Sequence, residues 1–245
     1  MRKYILIIGA GSDIARPLAH LYAKAGYGIY LASRSIDRLK LDANDIAIRY
    51  NTDTAAFFLD VTATETHHSF YNTLPEKPSG VICLAGILGD QHRSEVDFSE
   101  ANAVITANFT GLVSLLHIIA SDFEFRRGGF IVGVSSVAGE RGRKSNYVYA
   151  SAKAGFTAFL SGLRNRLYTD NVQVMTVHPG FISTKMIEGR KTPAIITATA
   201  EKVARDIFRG QQKGKDFLYS TWIWRYIMLA FRNIPESLAK KLDLK

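Results

Sequence analysis

The chain has 245 residues, 47% hydrophobic and 22% charged, a balance that excludes a disordered chain and suits one soluble α/β domain with a substantial core. Its only cysteine, Cys83, excludes an internal disulfide and any multi-cysteine metal site, so no metal is expected and a reducing, cytoplasmic setting fits. The net charge of +9 favours anionic partners; without zinc-finger spacing or the paired aromatics of an RNA-binding sheet, nucleic acid is not expected, whereas phosphorylated ligands and a membrane surface remain.

The basic start and apolar run at Tyr4–Ile8 stop at Gly9, too early for a secretion-signal core, and read as a strand, a turn and a helix reaching about Ala25. Further apolar runs follow at Ile29–Ala32, Ala55–Leu59, Val81–Leu84, Phe130–Val134 and Val172–Val177, with amphipathic stretches between them. Near-continuous Val, Ile and Leu imply strands buried on both faces, and hence a Rossmann-type, doubly wound parallel sheet with helices above and below. No repeat or linker divides the chain, so residues 1–245 form one domain. After Pro179–Gly180 the rhythm weakens. Thr184–Ala198 is polar and irregular, Thr199–Gly210 reads as a helix, Phe217–Ser220 as an edge strand, and 221–245 as an apolar and basic C-terminal helical tail.

The turn after the first strand, Gly9-Ala10-Gly11-Ser12-Asp13-Ile14, has the small residues that let backbone approach a pyrophosphate at a helix start. The second strand ends in Ser33-Arg34 and carries no acid at the position that would bind a free ribose 2′-hydroxyl. A hydroxyl and a guanidinium there suit a 2′-phosphate, favouring NADP(H) over NAD(H).

Tyr149 and Lys153 stand four residues apart on an amphipathic stretch continuing through Phe156, Phe159 and Leu163, and so share a helix face. The strand Phe130–Val134 delivers Ser135-Ser136 to the carboxyl edge of the sheet, where open α/β folds bind ligands. A tyrosine titrates near 10 in water; a neighbouring lysine cation is expected to stabilise the phenolate and lower that value.

With glycine turn, strand-end serine and Tyr-Lys helix in this order, the chain resembles the short-chain dehydrogenase/reductase family over nearly its whole length. The resemblance implies a catalytic serine thirteen positions before the tyrosine, Ser136 rather than Ser135, and a fourth catalytic residue at Asn108, anchoring a water of the proton relay. It also implies cofactor contacts from Asp60-Val61 at the adenine, from Ala85-Gly86, and from Pro179, Gly180, Ile182 and Thr184 at the nicotinamide, where Tyr149 and Lys153 also contribute. Three positions depart from the pattern. Asp13 and Ala15 replace glycines, with Asp13 expected to cap the following helix and Arg16 to offset its charge, and Leu84 replaces the asparagine that usually steadies the sheet centre.

Gly86–Asp90, Ser135–Arg143, Ser145–Tyr149 and Arg225–Pro235 further resemble one group within that family, the decaprenylphosphoryl-2-keto-ribose reductases. That likeness implies a lipid-linked keto-sugar substrate, a partner oxidase that delivers it and a protein peripheral to the inner face of the membrane. The family at large implies a homo-oligomer. Thr221–Ile234 is too short and too charged, with Arg225 and Arg232, to span a bilayer; it is either a helix packed on the core or an interfacial helix assisted by Lys240, Lys241 and Lys245. Glu140, Arg141, Arg143 and Lys144 either line a sugar-phosphate entrance or form a solvated loop. Two other readings stay open: a soluble reductase of a small or acyl-carrier-linked ketone, and a nucleotide-sensing protein without catalysis.

Overall fold

A computed structural model of the chain describes residues 2–187, 189 and 192–241; Lys245, expected among the basic residues of the tail, lies outside the described residues. The strands are β1 (Tyr4–Ile8), β2 (Gly28–Ser33), β3 (Thr54–Phe58), β4 (Gly80–Cys83), β5 (Gly129–Val134), β6 (Val172–Pro179), β7 (Phe181–Ser183), β8 (Thr197–Thr199) and β9 (Phe217–Ser220). Between and after them run α1 (Ala15–Lys24), α2 (Ile36–Tyr50), α3 (His67–Thr73), α4 (Gln91–Val96), α5 (Phe98–Ile105), α6 (Gly111–Arg126), α7 (Tyr147–Leu167), α8 (Ala200–Gln212), α9 (Ile223–Arg232) and α10 (Glu236–Ala239).

Seven strands make one wholly parallel sheet in the order β3-β2-β1-β4-β5-β6-β9. The direction of winding reverses between β1 and β4, which opens a crevice at their carboxyl ends. Alternation along β1 explains why both faces must be covered. Ile5 and Ile7 belong to a core with Leu18 and Tyr22 of α1, Ile46 of α2 and Ile207 of α8. Leu6 and Ile8 join Phe70 of α3, Leu115 and Ile119 of α6 and Phe156 of α7 on the opposite side. Each fully buried Ile or Leu contributes about 1.5–3 kcal/mol, so a polar residue anywhere in β1 would cost one core or the other.

Several expected boundaries move. β6 runs on to Pro179, held there by pairing with Ser220 of β9. Thr199, expected inside a helix, is the N-cap of α8, its hydroxyl accepting from Lys202 N at 3.2 Å. The stretch expected to be irregular contains β8, which pairs with β7 in a separate two-stranded sheet. The tail is no appendage: Trp224 and Met228 of α9 are buried against Val137, and the Trp224 indole N–H donates to Ile196 O at 3.1 Å. Its opposite side leaves Trp222, Tyr226 and Leu229 exposed.

The continuous helical stretch Phe98–Arg126 is long and apolar enough to cross a membrane by length and composition. Leu112, Leu115, Leu116, Ile119 and Phe123 are all fully buried in the second core, as in the core helix of a globular domain. This helix is not regular throughout; its middle, Thr106–Thr110, is a π-turn.

Candidate active site

The crevice at the carboxyl ends of β1 and β4 is a cavity of about 850 Å³. Its floor is set by a close approach of two turns. Gly9 takes φ +77°, a left-handed conformation suited to glycine, and a Cβ at this position would overlap the backbone of Ala85. Gly9 N and Ala10 N both donate to Ala32 O, at 2.9 and 3.0 Å, and Ser12 N to Gly9 O at 3.0 Å. The loop is thereby closed before α1 begins.

Gly9, Gly11, Ser12, Asp13 and Ile14 line this end of the cavity together with Ser33, Arg34, Asp60 and Val61. Asp60 is held as a carboxylate turn, accepting from Thr62 N at 2.9 Å and the Thr62 hydroxyl at 2.8 Å. The backbone donor is the main cause lowering its pKa, with the Arg34 charge helping. Ser33 Oγ accepts from Ser35 N at 3.3 Å, leaving the exposed Arg34 as the cation at the mouth of this region.

Asp13 and Arg16 do not act as expected. α1 has no side-chain cap; the Asp13 carboxylate instead accepts from Lys185 N at 2.9 Å, tying the turn to the segment after β7. Arg16 faces α2, pairing with Asp42 at 3.3 Å and Asp45 at 3.7 Å. Leu84 keeps its backbone in the sheet, its N donating to Ile8 O at 2.8 Å.

The other end of the cavity gathers Ser136, Tyr149 and Lys153 with Ala85, Gly86, Pro179, Gly180, Ile182 and Thr184. The two serines at the end of β5 part company there. Ser135 turns inward, its hydroxyl donating to Lys153 O at 2.9 Å and sharing a bond with Thr157 Oγ1 at 2.8 Å, whereas Ser136 Oγ accepts from Ala138 N at 3.1 Å. Lys153 is buried, its ammonium donating to Val134 O at 3.2 Å and standing 5.8 Å from the Tyr149 ring centroid.

The expected electrostatic balance at the tyrosine is reversed. Burial pushes Tyr149 up to about 12, opposed only by hydrogen bonding to the Ser136 hydroxyl. Burial also pushes Lys153 down to about 8. Low polarity penalises both charged forms. The arrangement therefore holds a neutral phenol at pH 7.

Asn108 alone among the expected catalytic and cofactor residues does not line the cavity. It sits fully buried in the π-turn, its amide donating to Ile87 O at 2.7 Å and Val104 O at 2.8 Å. Its Oδ1 has no hydrogen-bond partner among the described residues and points at Gly86, where a Cβ would collide with it.

The loop of four charged residues also divides. Glu140 is almost wholly buried, paired with the buried His178 at 3.0 Å and with Arg232 at 3.5 Å. Arg141 donates to Phe231 O at 2.8 Å, Ile234 O at 2.7 Å and Glu236 at 2.8 Å, capping the carbonyl end of α9. Arg143 lines the cavity, and burial lowers its pKa. Lys144 is exposed. Sequence reasoning missed the apolar wall formed by Trp224, Ile227, Met228 and Phe231 of α9. Their i, i+3, i+4, i+7 spacing was its only local signal.

A family model described as short chain dehydrogenase matches residues 3–194. An uncharacterized oxidoreductase of Mycobacterium tuberculosis is 34% identical over 241 residues, covering 97% of this chain and 96% of that protein. Sulfoacetaldehyde reductase 2 of Chromohalobacter salexigens is 33% identical over 190 residues, 76% of this chain and 75% of that one. The solved structure of a short-chain dehydrogenase from Sphingobium yanoikuyae in complex with NADPH superposes with a TM-score of 0.82 over 96% of this chain and 97% of that chain, at 20% identity, and shares the fold.

Proposed function

The chain belongs to the short-chain dehydrogenase family and is an NAD(P)-dependent oxidoreductase; from that premise we propose that it reduces the ketone of a lipid-linked keto-sugar, a polyprenyl-phosphoryl 2-keto-pentose, with NADPH. The single observation that carries the reading is the continuity of one cleft. Its Arg34 end suits a 2′-phosphate, its centre holds Ser136, Tyr149 and Lys153, and its far wall is the apolar face of a helix whose outer face exposes Trp222, Tyr226 and Leu229. An isoprenoid substrate needs such an apolar wall beside a polar reaction centre, and an outer face that exposes Trp222, Tyr226 and Leu229 beside the exposed Arg225 is suited to a lipid surface.

The nicotinamide, when bound, supplies the hydride. Ser136 and Tyr149 hydrogen-bond the ketone oxygen, and the phenol, kept neutral by its burial, gives up its proton as that oxygen becomes an alkoxide. The Lys153 ammonium stabilises the phenolate so formed and holds the nicotinamide ribose. Asn108 Oδ1 completes the relay as the acceptor for a water that returns a proton towards Lys153. The remaining expected cofactor residues contribute backbone and shape: the turn from Gly9 to Ile14 at the pyrophosphate, Asp60 and Val61 at the adenine, and Pro179, Gly180, Ile182 and Thr184 at the nicotinamide.

In this reading the protein is a homo-oligomer of single domains spanning residues 1–245, works at the cytoplasmic face of the membrane, and receives its keto-sugar from a partner oxidase. The test is NADPH and NADH oxidation, followed by absorbance, with a polyprenyl-phosphoryl 2-keto-pentose. Turnover, faster with NADPH, supports the proposal; reduction of simple ketones alone would replace it with a soluble carbonyl reductase, a reading favoured by the likeness to a sulfoacetaldehyde reductase. Liposome flotation separates the two independently, since membrane binding lost on truncation before Thr221 belongs only to the first.

A further inference from the structure

Among the described residues, Arg143 is a partly buried charge in the cleft that the fold does not explain. Arg143 precedes the catalytic helix in a turn closed by Asn146 N donating to Arg143 O at 3.1 Å. Its guanidinium lies in the cavity wall, and burial lowers its pKa with no charged or hydrogen-bonding group opposing the shift. Among the described residues it makes no ion pair and no side-chain hydrogen bond. Its neighbour Arg141 supplies the contrast: three acceptors satisfy that side chain at the end of α9, so it is committed to the fold. A partly desolvated guanidinium with five donors and no acceptor is costly unless a ligand completes it. An oxyanion does so best, because the planar fork can grip two of its oxygens at once.

We propose that Arg143 is the anion site of the substrate, binding a phosphoryl group carried next to the reacting ketone. This rests on the reductase reading above and sharpens it, since it adds a charged subsite to the cavity that the reaction centre and the apolar wall of α9 also line. Tyr149 lies six residues further along the same segment, and Trp224 stands in the apolar wall of the same cavity. Arg34 belongs to the opposite end of the crevice, at β2, so the two cations answer to different phosphates. The ligand class that follows is an amphiphile with an anionic phosphoryl group joining a small keto-sugar to an apolar chain.

The test uses the full chain loaded with NADP⁺, at a salt concentration near 0.15 M to screen distant charges. Geranyl phosphate and geraniol are titrated while the tryptophan fluorescence of the chain, from Trp222 and Trp224, is followed. Wild type should bind geranyl phosphate at least about tenfold more tightly than geraniol, the factor that one charge-assisted hydrogen bond supplies. Arg143→Ala should abolish that preference while leaving affinity for geraniol and for NADP⁺ unchanged, and Arg143→Lys should restore part of it. Thermal unfolding of both variants should match or exceed wild type, because the side chain removed has no partner. Equal binding of the two ligands by wild type, or an unchanged preference in Arg143→Ala, would overturn the proposal. An intact phosphate preference without turnover of the keto-pentose would sink the substrate assignment and leave the anion site standing.

Discussion

Asn108 Oδ1 and Lys153 Nζ converge on Gly86 from two different helical segments: a Cβ on that glycine would collide with the first and stand 3.2 Å from the second. The gap between the asparagine and the lysine is therefore kept open by the absence of one methyl group. Gly86→Ala should fold with a stability loss of about 1–3 kcal/mol, the usual cost of overpacking. It should also lose turnover through displacement of Asn108. Unfolding midpoints and kcat measured together check this, and a fully active variant would show that the convergence is incidental.

Tyr149 is the proton donor in the proposed reaction. Tyr149→Phe should keep NADPH affinity, read by fluorescence titration, and lose about 10²–10⁴-fold in kcat. A rate near wild type would remove the tyrosine from the mechanism.

Lys153 gives a pH dependence of defined sign. Its value in the folded protein, about 8, lies below its ordinary 10.5. Between those two values the unfolded chain binds the extra proton, so this group's contribution to stability rises as pH climbs from about 8 to about 10.5. Lys153→Met should flatten that rise, raise the unfolding midpoint at pH 7 and abolish most turnover. In wild type, kcat/KM for reduction should fall above about pH 8 as the ammonium is lost, while Tyr149, at about 12, keeps its proton.

Arg34 is expected to choose the cofactor. Arg34→Ala should weaken NADPH binding by about 10–100-fold, equivalent to one or two charge-assisted hydrogen bonds, and leave NADH nearly unchanged. Parallel titrations decide it; equal losses for both nucleotides would make Arg34 a general contact rather than a selector.

Arg141 joins the loop after β5 to the carbonyl end of α9 by three hydrogen bonds. Arg141→Ala should leave Phe231 O and Ile234 O without that donor and speed amide exchange across 223–236 well before the sheet is affected. Because α9 walls the cleft, KM for an apolar ketone should rise more than kcat falls. Exchange unchanged in that segment would show that Trp224 and Met228 alone hold the helix down.

What could be read from the chain directly is what local pattern encodes. Short apolar runs announce buried parallel strands because both faces of each strand must leave water. The four-residue step from Tyr149 to Lys153 sets both on one face of any helix, and Ser33-Arg34 at a strand end reveals its charge without reference to anything distant. The rest was decided by partners remote in sequence. Asp13 could cap its own helix or reach elsewhere, and only packing brought Lys185 N to it, 172 residues away. Arg141 and Arg143 are equivalent in the sequence and both line the cavity, yet only the first meets the carbonyls that end α9. Asn108 owes its position to a π-turn and a glycine two elements earlier. The apolar tail became a wall of the cleft because Trp224 found an acceptor on Ile196, whereas its spacing alone allowed a membrane, a second subunit or the core. Periodicity depends on the geometry of one segment, but the partner of a polar group depends on which segments the whole chain brings together.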